Sequence, residues 1–430
     1  MNLAAAIDPT AAAPRPHTWA ARLRAWVECA AFCLLTVPYT TGAMAWGYEF
    51  GFVPVRPALF LIAMSGICLL LTIPRKPDFA KSALLIFALL AARVIDAGLL
   101  QRFPTHGGPF KEAVSLGATV VLVMAIACAV GVYYRANRTP LVVAAALSVL
   151  VCVGVNLAEF AGHGQFSIVG GRAAGFWQDP NNTAMAITFM AAAFCTCSRK
   201  YWWNIAILGI AGVGVAVTLS RSGMLVFALT AAAFAALNLR QHFGKLALTA
   251  AIAVPLALGG IGIMAATATS QRDSNVQRRL NAIFGGDVDK MGSSERMKDL
   301  MDGVDALTKH PIAGMGMGAG TIYRQPHNQI VSVWLDLGIF GAILYGGVVA
   351  ALLLKSALAR FDGLLCVIPM IGFIPFSQFL CDFSPQWYAA LIAAIATSAR
   401  PLSIRLFKPR TRAAACAPAS GAQPATIVYG

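Results

Sequence analysis

Four short polar clusters interrupt an otherwise apolar chain, and each holds a residue type able to do chemistry. They are Gln178-Asp179-Pro180-Asn181-Asn182, Ser220-Arg221-Ser222-Gly223, Glu295-Arg296 and Pro326-His327-Asn328. In the second, the serines can cap a helix that starts there. A guanidinium beside a helix N-terminus makes a site for an anion such as phosphate. The bland reading of Arg221 is a side chain snorkelling to water. Arg296 is a candidate second phosphate ligand, with a surface ion pair as its alternative. His327 opens an apolar run that reads as a helix. The positive end of the helix dipole disfavours imidazolium, so the ring is expected to be neutral and able to take a proton as a general base. A buried hydrogen-bonding histidine is the competing reading. Asp179 fits an N-cap followed by Pro180 at the first helical position, and capping alone would explain it. Arg172, just upstream, is either a further ligand or a solvated loop charge.

Other positions carry weaker signals. Arg93 and Asp96, three apart in an apolar segment, are expected to form a structural pair on one helix face. Asp382, in Cys381-Asp382-Phe383-Ser384-Pro385, is placed to orient an arginine or an acceptor. The run Gly314-Met315-Gly316-Met317-Gly318 permits sharp turns or close backbone approach. Without a preceding strand it is a poor phosphate signal. Gly338 and Gly341 would lie about 16–21 Å beyond His327 along a straight helix, as packing positions rather than chemistry. Cys195 and Cys197 form a C-x-C with no second pair, and Asp287-Val288-Asp289 is the nearest approach to a metal-binding Asp-x-Asp. No metal site and no cofactor are expected. Most of the ten cysteines, among them Cys68, Cys128, Cys152 and Cys366, fall in apolar runs and read as small buried hydrophobes.

The elements that must position these residues are membrane helices. Of 430 residues, 58% are apolar and 12% charged, against roughly 25% charged in an ordinary soluble domain. That composition excludes a disordered chain and disfavours a water-soluble globule. The fold class expected is an all-α polytopic membrane protein of about 12 transmembrane helices. The spans read 26–46, 57–74, 82–100, 113–133, 140–159, 181–197, 202–219, 223–239, 246–267, 328–354, 361–380 and 386–399. The organisation is then a cytoplasmic tail at 1–25 and helices one to nine within 26–267. A partly helical periplasmic loop follows at 268–327, then helices ten to twelve within 328–400 and a cytoplasmic tail at 401–430. Within the loop, residues 293–310 read as a helix that Ser293 or Ser294 could cap. The net charge of +15 has a topological cause rather than a nucleic-acid partner. With both termini inside, every inside connector carries at least two basic residues, as in Arg75, Lys76 and Lys81, Arg135 and Arg138, or Lys355 and Arg360. All four polar clusters then converge on the outer boundary.

A His followed by Asn, nine residues and Gly-x-x-Gly stands here as His327-Asn328, residues 329–337 and Gly338-Ile339-Phe340-Gly341. Together with Ser220–Gly223 and Glu295-Arg296, this resembles the signature of the O-antigen ligase and O-antigen polymerase superfamily of bacterial glycosyltransferases. The resemblance implies a C-type glycosyltransferase fold in the Gram-negative inner membrane, metal-independent and inverting, with a periplasmic active site. Its partners would be an undecaprenyl-pyrophosphate-linked O-antigen donor and a lipid A-core acceptor in the phospholipid bilayer. The product would be mature lipopolysaccharide. His327 would be the base, and Arg221 and Arg296 would stabilise the leaving pyrophosphate. Arg172, Arg324, Asn328, Asp382, Gln178 and Asn181 would bind substrate. The alternatives are an O-antigen polymerase acting on lipid-linked repeats, a protein O-oligosaccharyltransferase, and, from another class, a secondary transporter or flippase. A transporter would place charges or broken helices near mid-membrane in two matching halves, and no internal repeat is seen.

Overall fold

The computed structural model describes residues 19–77, 80–99, 109–238, 293–320, 325–359, 361–380 and 382–398. Among them it contains helices and turns but no strand. In chain order the helices are α1 (Trp19–Thr40), α2 (Ala43–Glu49), α3 (Pro57–Thr72), α4 (Ala83–Leu99), α5 (Pro109–Tyr133), α6 (Thr139–Phe160) and α7 (Pro180–Cys197). They continue as α8 (Tyr201–Val217), α9 (Arg221–Asn238), α10 (Ser293–Lys309), α11 (Gln329–Leu358), α12 (Leu364–Phe373) and α13 (Ser384–Ser398). Proline marks several starts: Pro57 and Pro180 stand at the first helical position, where a missing N–H costs nothing.

Five of the described helical stretches are long and apolar enough to cross a membrane: Pro57–Arg75, Ala113–Tyr133, Thr139–Phe160, Arg221–Asn238 and Gln329–Leu358. The chain is a multi-pass membrane protein. Several of its hydroxyl-bearing residues satisfy themselves within their own helix, as an apolar solvent favours. Thr40 Oγ1 donates to Thr36 O at 2.9 Å and Thr188 Oγ1 to Ala184 O at 2.7 Å.

The bundle closes around α7 and α13, which are buried on nearly every side. Alanines at 184, 186, 191, 192 and 193 in α7, and at 389, 390, 393, 394 and 396 in α13, let neighbouring backbones come close. Helices α6, α8, α12 and α13 pack on α7, α5 packs on α13, and α4 packs on α11. Six of the described cysteines (68, 128, 152, 195, 197 and 366) are buried thiols, whereas Cys29 and Cys33 are half-buried.

Three expected spans differ. The first helix is not continuous over 26–46: it starts at Trp19 and stops at Thr40. The chain turns through Gly42 at φ 76°, with a Trp177 Nε1 to Thr40 O bond of 3.3 Å beside the break, before α2 begins. The expected span 361–380 contains only the ten-residue α12, about 15 Å of helix and half a bilayer core. Pro375 explains the stop through its missing N–H, which leaves Ile371 O without its i+4 donor, while Ile374 itself keeps helical angles of φ −49° and ψ −50°. The expected helix 328–354 is present but broken at Gly338, where φ is 69° and ψ −168°. The expected span 246–267, both expected tails beyond residues 19–25, and loop residues 268–292 lie outside the described residues.

Candidate active site

The N-terminus of α7 is built as its sequence suggests. Asp179 caps it, accepting from Asn181 N at 2.7 Å, and Pro180 is the first helical residue. Asn181 then turns its side chain to two neighbours. Its Oδ1 accepts from Ser220 Oγ at 2.8 Å and from Arg172 Nη2 at 3.3 Å. Arg172 Nε donates to Thr218 O at 2.9 Å, and the residue is buried. Arg172 is therefore no solvated loop charge; it ties the loop before α7 to the turn between α8 and α9. Ser220 caps α9, its Oγ accepting from Gly223 N at 3.2 Å. Arg221 follows as the first residue of α9 and is exposed. Gln178 sits in the left-handed region at φ 59°, and its amide reaches Glu49 Oε2 of α2 at 2.8 Å.

His327 stands two residues before α11, also left-handed at φ 48°. Asn328 caps that helix, its Oδ1 accepting from Ile330 N at 3.0 Å and Val331 N at 3.2 Å. His327 Nε2 lies 3.8 Å from Asp299 Oδ2 on α10. Burial and then the Arg296 guanidinium hold the imidazole below its ordinary value, while Asp299 and Asp179 pull it up. The helix containing residues 293–309 is observed as expected, and it brings Arg296 and Asp299 to the histidine. Asp179 links the two halves of the site, since it caps α7 beside Asn181 and its charge acts on His327.

The glycine run packs against backbone. Met315 N donates to Leu335 O at 2.6 Å, Gly316 N to Asp336 O at 3.2 Å, and Gly320 N to the Asp336 carboxylate at 2.8 Å. In return Ile339 N donates to Ile312 O at 3.2 Å. A Cβ on Gly338 would stand 1.9 Å from Ile312 O, so only glycine fits. The expected placing of Gly338 and Gly341 farther along one straight helix is thus corrected. The first nine residues of α11 form a separate short helix, and the glycines make the corner. Two N–H groups that a phosphate loop would offer to a ligand, those of Met315 and Gly316, are spent on α11.

Arg93 has a partner that its sequence neighbourhood does not suggest: its Nη1 bonds the Asp336 carboxylate, both residues being buried, and its guanidinium lies over Phe379 at 5.8 Å. Asp382 is exposed, just before α13. Desolvation raises its carboxyl, while its own backbone N–H and then Arg93 pull it down. Arg324, Asp287 and Asp289 lie outside the described residues, as does the Glu295 side chain. Among the described residues no three His, Cys, Asp or Glu side chains gather closely enough to hold a metal ion.

Three residues absent from the sequence-based candidates shape the site: Asp299 beside the imidazole, Asp336 at the corner of α11, and Glu159 at the end of α6. Asp299 was within reach of sequence reasoning, one turn beyond Arg296 on the same predicted helix.

Residues 206–346 match the family model described as O-Antigen ligase. The stretch starts in α8, ends in α11 and takes in Arg221, Arg296 and His327. No curated protein matches the chain.

Proposed function

Residues 206–346 place the chain with the O-antigen ligase family, and on that premise we propose that it is the inner-membrane glycosyltransferase that moves O-antigen from undecaprenyl pyrophosphate to lipid A-core. Members of this family are glycan-transferring enzymes, ligases and polymerases alike. The single observation that carries the reading is the shared surroundings of His327, Arg296, Asp299 and Asp179, contributed by three separate segments. A transporter has no need of such an arrangement at the end of its bundle.

The chemistry is one displacement. The acceptor hydroxyl oxygen attacks the anomeric carbon of the donor sugar, and the bond from that carbon to the pyrophosphate oxygen breaks. The electron pair leaves with the pyrophosphate, and the hydroxyl proton passes to His327. A neutral imidazole is required, and burial together with Arg296 favours one. The leaving group gains negative charge, which Arg221 and Arg296 meet with charge-assisted, bidentate hydrogen bonds. Arg172 acts one step back, by holding Asn181 and the turn that ends in Arg221. Asp382 is assigned to the acceptor side, and Gln178 and Asn328 keep the loop and helix ends that flank the donor. One attack from the face opposite the leaving group inverts the anomeric centre.

Both substrates are lipid-anchored, so the site belongs at the membrane boundary, and the basic inside connectors put that boundary on the periplasmic face. A gene deletion separates ligase from polymerase. Loss of this protein should leave long chains on undecaprenyl and unsubstituted lipid A-core. Single repeats on core would instead identify a polymerase.

A further inference from the structure

Glu159 stands in the last turn of α6, where a negative charge is opposed by the carbonyl end of the helix dipole. Helix stability therefore does not account for it. Its carboxylate accepts four backbone N–H groups. Oε1 takes those of Phe166 at 2.7 Å and Ser167 at 2.5 Å; Oε2 takes those of Ala174 at 2.7 Å and Gly175 at 2.9 Å. A carboxylate has about four acceptor positions, so its capacity is used.

The loop it grips, residues 161–179, has a single 3-10 turn at Gly175–Trp177 as its regular structure. Ala173, Ala174 and Gly175 are nevertheless buried, and buried N–H groups must find acceptors. Glu159 supplies them for Ala174 and Gly175, where a sheet would use a neighbouring strand. From the gripped positions the chain runs directly into the site. Thr183 Oγ1 donates to Ala174 O, Arg172 reaches Thr218 O and Asn181, and Asn181 holds Ser220 beside Arg221.

We propose that Glu159 is a positioning residue: through the backbone of this loop it sets Arg172, Asn181 and the 218–221 turn, so that the diphosphate site at Arg221 is formed before the lipid-linked donor arrives. This rests on the glycosyltransferase reading above. Glu159 touches no reacting atom.

The test is Glu159→Gln in lipid nanodiscs. The glutamine amide keeps one oxygen and turns the other acceptor into a donor facing two N–H groups. Undecaprenyl pyrophosphate should bind about tenfold more weakly, and the KM for lipid-linked donor should rise to match. The turnover number at saturating donor should stay within about threefold, and the acidic limb of the pH profile, set by His327 on another element, should not move. Glu159→Asp, with all acceptor positions but a shorter reach, should lie between. Unchanged binding and KM would overturn the proposal, as would a fall confined to turnover number. Hydrogen exchange over residues 164–177 needs no turnover. The amides of Phe166, Ser167, Ala174 and Gly175 should be protected in the native protein, and free exchange there refutes the anchor even if Glu159→Gln does not fold. Absence of transfer by the native protein, with these amides protected and undecaprenyl pyrophosphate binding weakened by Glu159→Gln, would sink the enzyme reading alone.

Discussion

His327 Nε2 lies 3.8 Å from Asp299 Oδ2, across the gap between the start of α11 and the first turns of α10. That is too long for a hydrogen bond but close enough for charge to bias the ring. Arg296, one helical turn before Asp299, biases it the other way. Burial lowers the proton affinity of the proposed base most, and these two side chains adjust it in opposite directions.

The sign of this balance can be read from pH profiles. His327 is held below its ordinary value of 6.5, so kcat/KM should fall only as pH drops below that value. Asp299→Asn removes a charge that favours imidazolium, and the acidic limb should move to lower pH. Arg296→Gln removes one that disfavours it, so the residual activity should show its limb at higher pH. Arg296→Lys should leave the limb in place while activity falls, since lysine keeps the charge and loses the fork. A limb that stays fixed in Asp299→Asn and Arg296→Gln would show that another group titrates.

Gly338→Ala tests the corner of α11. The added Cβ meets Ile312 O, and φ is positive. We expect destabilisation on the order of 1–3 kcal/mol, read as a lowered midpoint of thermal unfolding in detergent, with weakened transfer. A stable, active Gly338→Ala protein would mean that α11 runs straight.

Asp336→Ala should leave Arg93 and Gly320 N without the acceptor they share. Breaking a buried ion pair costs roughly 3–5 kcal/mol. Asp336→Asn combined with Arg93→Met should unfold later than Arg93→Met alone, because no uncompensated carboxylate remains. Equal unfolding of Asp336→Ala and native protein would remove the pair from the account.

Asn181→Ala should loosen the join between the loop and the α8–α9 turn, since it deletes the acceptor for both Ser220 and Arg172. At about 1 kcal/mol per bond, the protein should still fold, and its affinity for undecaprenyl pyrophosphate should drop several-fold. Native affinity in this variant would show that Arg221 needs no such support.

Much of this arrangement is local and was legible in sequence. Apolar runs located most helices, Pro180 and Asp179 fixed the start of α7, and the 293–309 helix followed from its own pattern. The corner at Gly338 was not legible, because Gly-x-x-Gly reads the same in a packed straight helix and in a broken one. What decides is Ile312 O, 26 residues earlier in the chain. Glu159 escaped for a related reason: its partners are main-chain N–H groups, which have no sequence signature. Arg93 has Asp96 nearby in sequence, so local spacing gave no reason to look 243 residues ahead to Asp336. The ten-residue α12 could have been anticipated from Pro375.

The proposed reaction needs a base and a cationic diphosphate site acting together, and no added metal ion. It is tested most directly by one assay: purified protein, lipid-linked O-antigen and lipid A-core, in excess chelator. The native protein should transfer, while Arg221→Ala falls by roughly 100-fold to 1,000-fold and His327→Ala by roughly 100-fold to 10,000-fold, with all three inserting in the membrane normally. Native rates from His327→Ala, or transfer that appears only when Mg²⁺ or Mn²⁺ is restored, would contradict the account.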